Sequence, residues 1–175
     1  MQISKSDFDV NILAKLKELE GKIRKVEPDE INTILNDNYK SKDIVFKSQV
    51  RLEVEKHNEK QHKVIGHYAC NFSEKSCFPE VQWDHITGSL LTSVANQVGK
   101  ILHCVCGNTN GVNLLSLSIK VRKPAPPSEI TLILESIMFP KFNSLWAKSK
   151  IEFFHKKDFF AEIKCLTHGI GRVYK

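Results

Sequence analysis

The stretch at 83–106, WDHITGSLLTSVANQVGKILHCVC, constrains this chain more than any other. Leu91, Val94, Ala95, Val98, Ile101, Leu102 and Val105 recur at three- and four-residue steps. At about 100° per residue they make one apolar face of a long helix. The opposite face carries Ser89, Thr92, Ser93, Asn96 and Lys100, with Gln97 at its edge. A solvated face normally carries Glu and Lys. This helix is therefore expected to bury both sides, one in a core and one against a site or a partner. Asp84, His85 and Thr87 precede Gly88, and Thr87 or Asp84 can cap the first free backbone N–H groups. Gly88 lets a ligand come close to that backbone. The N–H groups near Gly88 and Ser89, with the positive end of the helix dipole, could polarise a carbonyl. The same residues also read as an ordinary capped helix start.

Length and composition narrow the classes. A chain of 175 residues with 41% hydrophobic content and mixed charge fits one globular domain spanning 1–175. No apolar run approaches the ~20 residues of a membrane span, so no membrane insertion is expected. The opening MQISKSDFDVNIL has neither the apolar core nor the cleavage site of a signal peptide. Five cysteines, an odd number without framework spacing, read as reduced thiols in a cytoplasm. A net charge of +6 and a pI near 9.0 favour an anionic partner: nucleic acid, a CoA phosphate or an acidic carrier protein. A merely basic soluble protein has the same charge. Nothing else points to nucleic acid, because no aromatic-and-basic platform is present.

Taken in order, residues 8–23 and 27–38 read as two helices, forming an N-terminal helical segment at 1–38. From Asp43 the apolar period falls from helical to two. Strands are expected across 44–54, with a register shift near Ser48, and across 63–72, joined by the charged HNEKQH loop. After the long helix, the turn signal GNTNG leads to strands at 112–121, 129–138, 146–155 and 159–167. One long helix among consecutive antiparallel strands makes an α+β domain. The hotdog fold, a sheet wrapped around a central helix, has this order, with its core at 39–175.

Two family resemblances bear on chemistry. The segment from Phe78-Pro79 through Gly88, Leu90, Leu91, Gln97 and Gly99 resembles the central-helix region of β-hydroxyacyl-carrier dehydratases. However, Cys77 stands where their catalytic His would be and Ser93 where their carboxylate would be, and dehydration needs both an acid and a base. A second resemblance, over about 35–166, is to the FcoT-type, or type III, long-chain acyl-CoA thioesterases. Tyr39, the Asn96-Gln97 pair, Arg122-Lys123-Pro124 with Pro127, and Ile151-Glu152-Phe153 match that family's pattern in order. Phe78 and Thr87 depart from it, replacing a tyrosine and an asparagine. The resemblance implies a hydrolase of fatty acyl-CoA or acyl-carrier-protein thioesters. It also implies a homodimer or higher homo-oligomer with sites at the interface.

On that reading Asn96 positions water or carbonyl, and Asp84 or His85 takes the proton. Tyr39, Phe78, Trp83, Thr87, Gly88, Ser89, Thr92 and Ser93 line the substrate, and Arg122 and Lys123 meet its phosphates. Each has a structural alternative: a cap, a core side chain or a solvated strand end. Cys77 as a nucleophile lacks a His at fixed spacing. His103-Cys104-x-Cys106 lacks a second ligand pair for a metal, and neither metal nor other cofactor is expected. The alternatives in reserve are a dehydratase-like enzyme on carrier-bound acyl groups and a non-catalytic acyl-binding module.

Overall fold

The structure, a computed structural model, describes residues 14–39, 44–46, 48–72, 86–107, 109, 111–142 and 144–170, with the backbone alone at 36–39 and 170. Residues 14–19 are helical. Gly21 follows with φ +72°, the left-handed conformation that closes a helix without a Cβ clash. Strand β1 (Ile23–Val26) comes next, then helix α1 (Pro28–Tyr39). Pro28 opens α1 where no intrahelical N–H is needed, and Asp29 and Glu30 sit in its first turn against the positive dipole end. Strands β2 (Ile44–Val45), β3 (Val50–Lys56) and β4 (His62–Phe72) lead to helix α2 (Gly88–Gly107). Strands β5 (Gly111–Val121), β6 (Glu129–Lys141), β7 (Ser144–His155) and β8 (Asp158–Ile170) complete the described chain.

All eight strands join one sheet in the order β1-β3-β4-β6-β7-β8-β5, with β2 beside β4. Every strand pair is antiparallel. Side chains alternate as period-two sequences require. In β7, Leu145, Ala147, Ile151 and Phe153 are buried, while Lys148 is exposed. The buried set of β3, β4, β6, β7 and β8 forms one core with Leu91, Val94, Val98 and Ile101 of α2, each of which is fully buried. This is the hotdog architecture, and the expected apolar face of the helix is the one that meets the sheet.

One local feature departs from the expectation. Residues 8–23 were read as one helix, yet Ile23 opens β1, pairing Ile23 with Glu53 and Val26 with Val50. Ile23 and Val26 stand three apart, a spacing a helix shares, and four residues are too few to reveal a period of two. The KKD hairpin places Lys156 (φ 48°) and Lys157 (φ 72°) both in the left-handed region. Two positive φ values in a two-residue loop match the twist of antiparallel strands, so the tight β7–β8 turn forms without a glycine.

Candidate functional site

The first turn of α2 is capped as its sequence requires. The Leu90 N–H donates to Thr87 Oγ1 at 3.4 Å and the Leu91 N–H to the Thr87 carbonyl at 3.1 Å. Thr87 Oγ1 also lies 2.8 Å from Ser89 Oγ. Thr87 is thus the N-cap, and the amides of Gly88 and Ser89 have no acceptor within the helix. Gly88 is exposed, and a Cβ built there would meet only Ile119 Cδ1, at 3.9 Å. A ligand can therefore reach these amides. Thr92 Oγ1 donates to the Gly88 carbonyl (2.9 Å) and Ser93 Oγ to the Ser89 carbonyl (3.1 Å). Their protons are committed to the backbone, so both hydroxyls face outward as acceptors. Ser89, Ser93 and Asn96 follow at steps of four and three and share one stripe. Ser89 and Asn96 are exposed, and Thr92 and Ser93 half-buried. Of the polar face expected to be covered, Lys100 and Gln97 are buried, while Ser89 and Asn96 are open within the single chain.

The loop after β5 reaches the same place. The Ile86 N–H donates to the Ala125 carbonyl at 2.8 Å, and Ile86 and Ala125 are both buried. The Arg122 N–H bonds the Phe160 carbonyl at 2.8 Å, fastening the other end of the loop to β8. Lys123 Nζ lies 3.3 Å from Asp158 Oδ2, an exposed pair that partly offsets its charge. Arg122 is exposed and has no acidic partner among the described residues. The structure therefore brings the residue before the Thr87 cap against Ala125, in the loop that follows Arg122 and Lys123, while Arg122 and Lys123 themselves bond to β8. Phe78, Trp83, Asp84 and His85, with Cys77, lie outside the described residues, as does the side chain of Tyr39.

Several buried polar groups were not singled out by periodicity. Gln97 is 1% exposed, and neither its amide nitrogen nor its oxygen has a hydrogen-bond partner among the described residues. It sits beside exposed Asn96, at the edge of the polar stripe, where a single-helix reading cannot assign burial. The Tyr68 hydroxyl is buried without a partner, and burial holds its pKa well above the ordinary range. At the far end of α2, His103 Nε2 lies 2.9 Å from Thr167 Oγ1. Burial, and then His168, push the His103 pKa down to about 3. Its imidazole is neutral, a fixed polar latch between helix and sheet. Cys104 donates from Sγ to the Thr109 carbonyl at 2.9 Å. Burial pushes the Cys106 thiol up to about 12, which leaves it a poor nucleophile. Among the described residues no three His, Cys, Asp or Glu side chains could hold a metal ion. No described helix is long and apolar enough to cross a membrane.

No family model matches the chain, and no curated protein matches it. It is similar in shape to several solved structures. Zebra fish thioesterase superfamily member 2 aligns at 12% identity over 81% of this chain and 94% of that one, with a TM-score of 0.48. Its mouse counterpart aligns at 9% identity over 81% and 92%, with a TM-score of 0.45. A hypothetical thioesterase protein from Streptococcus pneumoniae, solved with coenzyme A, aligns at 12% identity over 69% and 87%, with a TM-score of 0.41.

Proposed function

We propose that this chain is an acyl-thioester hydrolase acting on fatty acyl-CoA or acyl-carrier-protein thioesters in lipid or secondary metabolism. The observation that supports the reading is the Ile86–Ala125 hydrogen bond of 2.8 Å, which ties the approach to the α2 N-terminus to the loop that follows Arg122 and Lys123. The Gly88 and Ser89 N–H groups, which have no acceptor within the helix, serve in this reading as the donors, and Arg122 as the cation. The thioester carbonyl oxygen accepts from the amides, which stabilise the charge that develops there. Asn96 and Tyr39 orient the water. Asn96 carries no ionisable proton and cannot act as a base at neutral pH, so the proton goes to Asp84 or His85. Water oxygen bonds to the carbonyl carbon, the carbon–sulfur bond breaks, and a carboxylate and a thiol leave. Phe78 and Trp83 flank the acyl chain, and Arg122 and Lys123 meet the phosphates or acids of the carrier. Support also comes from the type III thioesterase pattern at Tyr39, Asn96-Gln97 and Arg122-Lys123-Pro124. A second copy packed on the open stripe of Ser89, Thr92, Ser93 and Asn96 would cover it, consistent with a homodimer. The described cysteines are free, which fits a reducing cytoplasm.

A panel of acyl-CoA and acyl-carrier substrates, read by mass spectrometry, tests this. Free acid and free thiol are the expected products. Formation of an enoyl thioester from a 3-hydroxyacyl substrate would move the protein to the dehydratase reading. Saturable binding of every substrate without turnover would make it an acyl-binding module.

A further inference from the structure

The face of the sheet turned away from α2 is not a plain solvated surface. A groove of about 840 Å³ crosses it from β4 to β5. Its side chains come from two neighbouring ladder rows. One row runs Lys63, Ile137, Lys148, Leu166 and Ser116 across five strands. The next runs Glu135, Lys150, Lys164 and Ser118. These positions alternate with buried Ser136, Ser149 and Cys165, so they point outward.

Charge in the groove is unbalanced. Lys63 lies 3.7 Å from Glu135, and Lys150 lies 2.5 Å from Glu152. Lys148 and Lys164 have no acidic partner among the described residues. Lys164 stands directly opposite Lys150; Lys150 is already neutralised by Glu152, with Glu162 and Glu135 acting on it, which leaves Lys164 and Lys148 as the cations free to meet an anion. Lys148 stands between Ile137 and Leu166, half-buried apolar side chains on a face where water is the neighbour. The following row, about 7 Å further along the strands, is aromatic. It places Trp146 between Phe139 and His168, with the Trp146 and His168 rings 5.3 Å apart. Trp146 is oriented by its Nε1–H, which donates to the Lys141 carbonyl at 2.8 Å.

From these rows we infer a second binding site, on the outer sheet face, for a single amphipathic anion of the fatty-acid type. Its anionic head lies between Lys164 and Lys148. Its apolar body lies on Ile137 and Leu166 and runs toward Trp146. The volume falls in the ordinary range for small-ligand sites. The site is separated by the whole sheet from the face that packs on α2, so it does not depend on the proposed hydrolase activity.

Sodium dodecanoate and dodecyl phosphate, each below its micellar concentration, are the probes. Titration calorimetry of the full chain is read with amide chemical-shift mapping. Saturable binding of either probe is expected, weakening with salt, with shifts at 135–137, 148–150 and 164–166. The double variant Lys148→Glu/Lys164→Glu should weaken binding about tenfold or more. Lys148 and Lys164 are both exposed, so the melting temperature of the double variant should move little. Unchanged affinity in the folded double variant overturns the site. So do shifts confined to 88–107, or association only with vesicles of anionic phospholipid and with neither monomeric probe.

Discussion

The two ends of α2 are built by opposite rules. At its start, Thr87, Gly88, Ser89 and Asn96 are exposed or half-buried, and a Cβ on Gly88 would meet nothing closer than 3.9 Å. At its finish, His103, Cys106 and Gly107 are buried. There a Cβ on Gly107 would stand 2.2 Å from Leu145 Cδ2. The finish is filled to the limit of packing and its ionisable groups are held neutral. The start keeps donors unspent and space in front of them. Burial thus fixes the helix at one end and leaves the other end exposed.

Changes at the two ends should therefore separate stability from activity. The largest effect is expected at the packed end. Gly107→Ala drives a methyl into Leu145 and should lower unfolding stability by about 3 kcal/mol, read by denaturant melts. A melt unchanged from the parent would show that the packed end can yield, and the contrast would fail. At the open end, Asn96→Ala should slow acyl-CoA hydrolysis about 10²-fold, as loss of one positioned polar donor does. It should move stability by less than about 0.5 kcal/mol, because Asn96 is exposed. Wild-type turnover in the folded variant would remove Asn96 from the site.

A third test uses pH. His103 is lowered from 6.5 to about 3 by burial. The unfolded chain binds a proton there as pH falls through 6.5, and the folded chain does not until about 3. The stability in question is present above pH 6.5 and lost on acidification through that window, at up to about 1.4 kcal/mol per pH unit. Between pH 7.5 and 5 the fall should be about 2 kcal/mol, and it should be largely missing in His103→Gln. An equal fall in the variant would assign the pH dependence elsewhere. The smallest effect is Thr87→Ala. Losing the N-cap should cost about 1 kcal/mol in a thermal melt. A larger drop in kcat than that loss explains would sharpen the assignment of the helix start to substrate.

The long helix and the strands from β3 onward could be read because their apolar residues keep periods of 3.6 and 2 across seven or more positions. Four-residue β1 could not. The order of strands was not legible either. Position 70 pairs with 130 and position 112 with 169, and local propensity carries no information about such distant partners. In the candidate site, the Thr87 cap and the glycine after it follow from residue type and place. That the loop following Arg122 and Lys123 reaches the residue before that cap depends on the Ile86–Ala125 contact, which only the folded chain reveals. Gln97 lies on the border between two faces of the helix, so residue type and spacing alone do not assign its burial.

The seam between β4 and β6 has a consequence for how the molecule assembles. Strands β5 to β8 lie in one continuous stretch, with β6, β7 and β8 joined by tight hairpins. Strands β1, β3 and β4 form a second such group. The two groups meet only where β4 lies against β6, and α2 and β5 lie in the chain between them. Closing that seam means ordering a long loop before any of its cross-strand contacts form. The hairpins on either side have no such loop to close. The C-terminal group is therefore the natural folding nucleus, and the seam is the step that comes late.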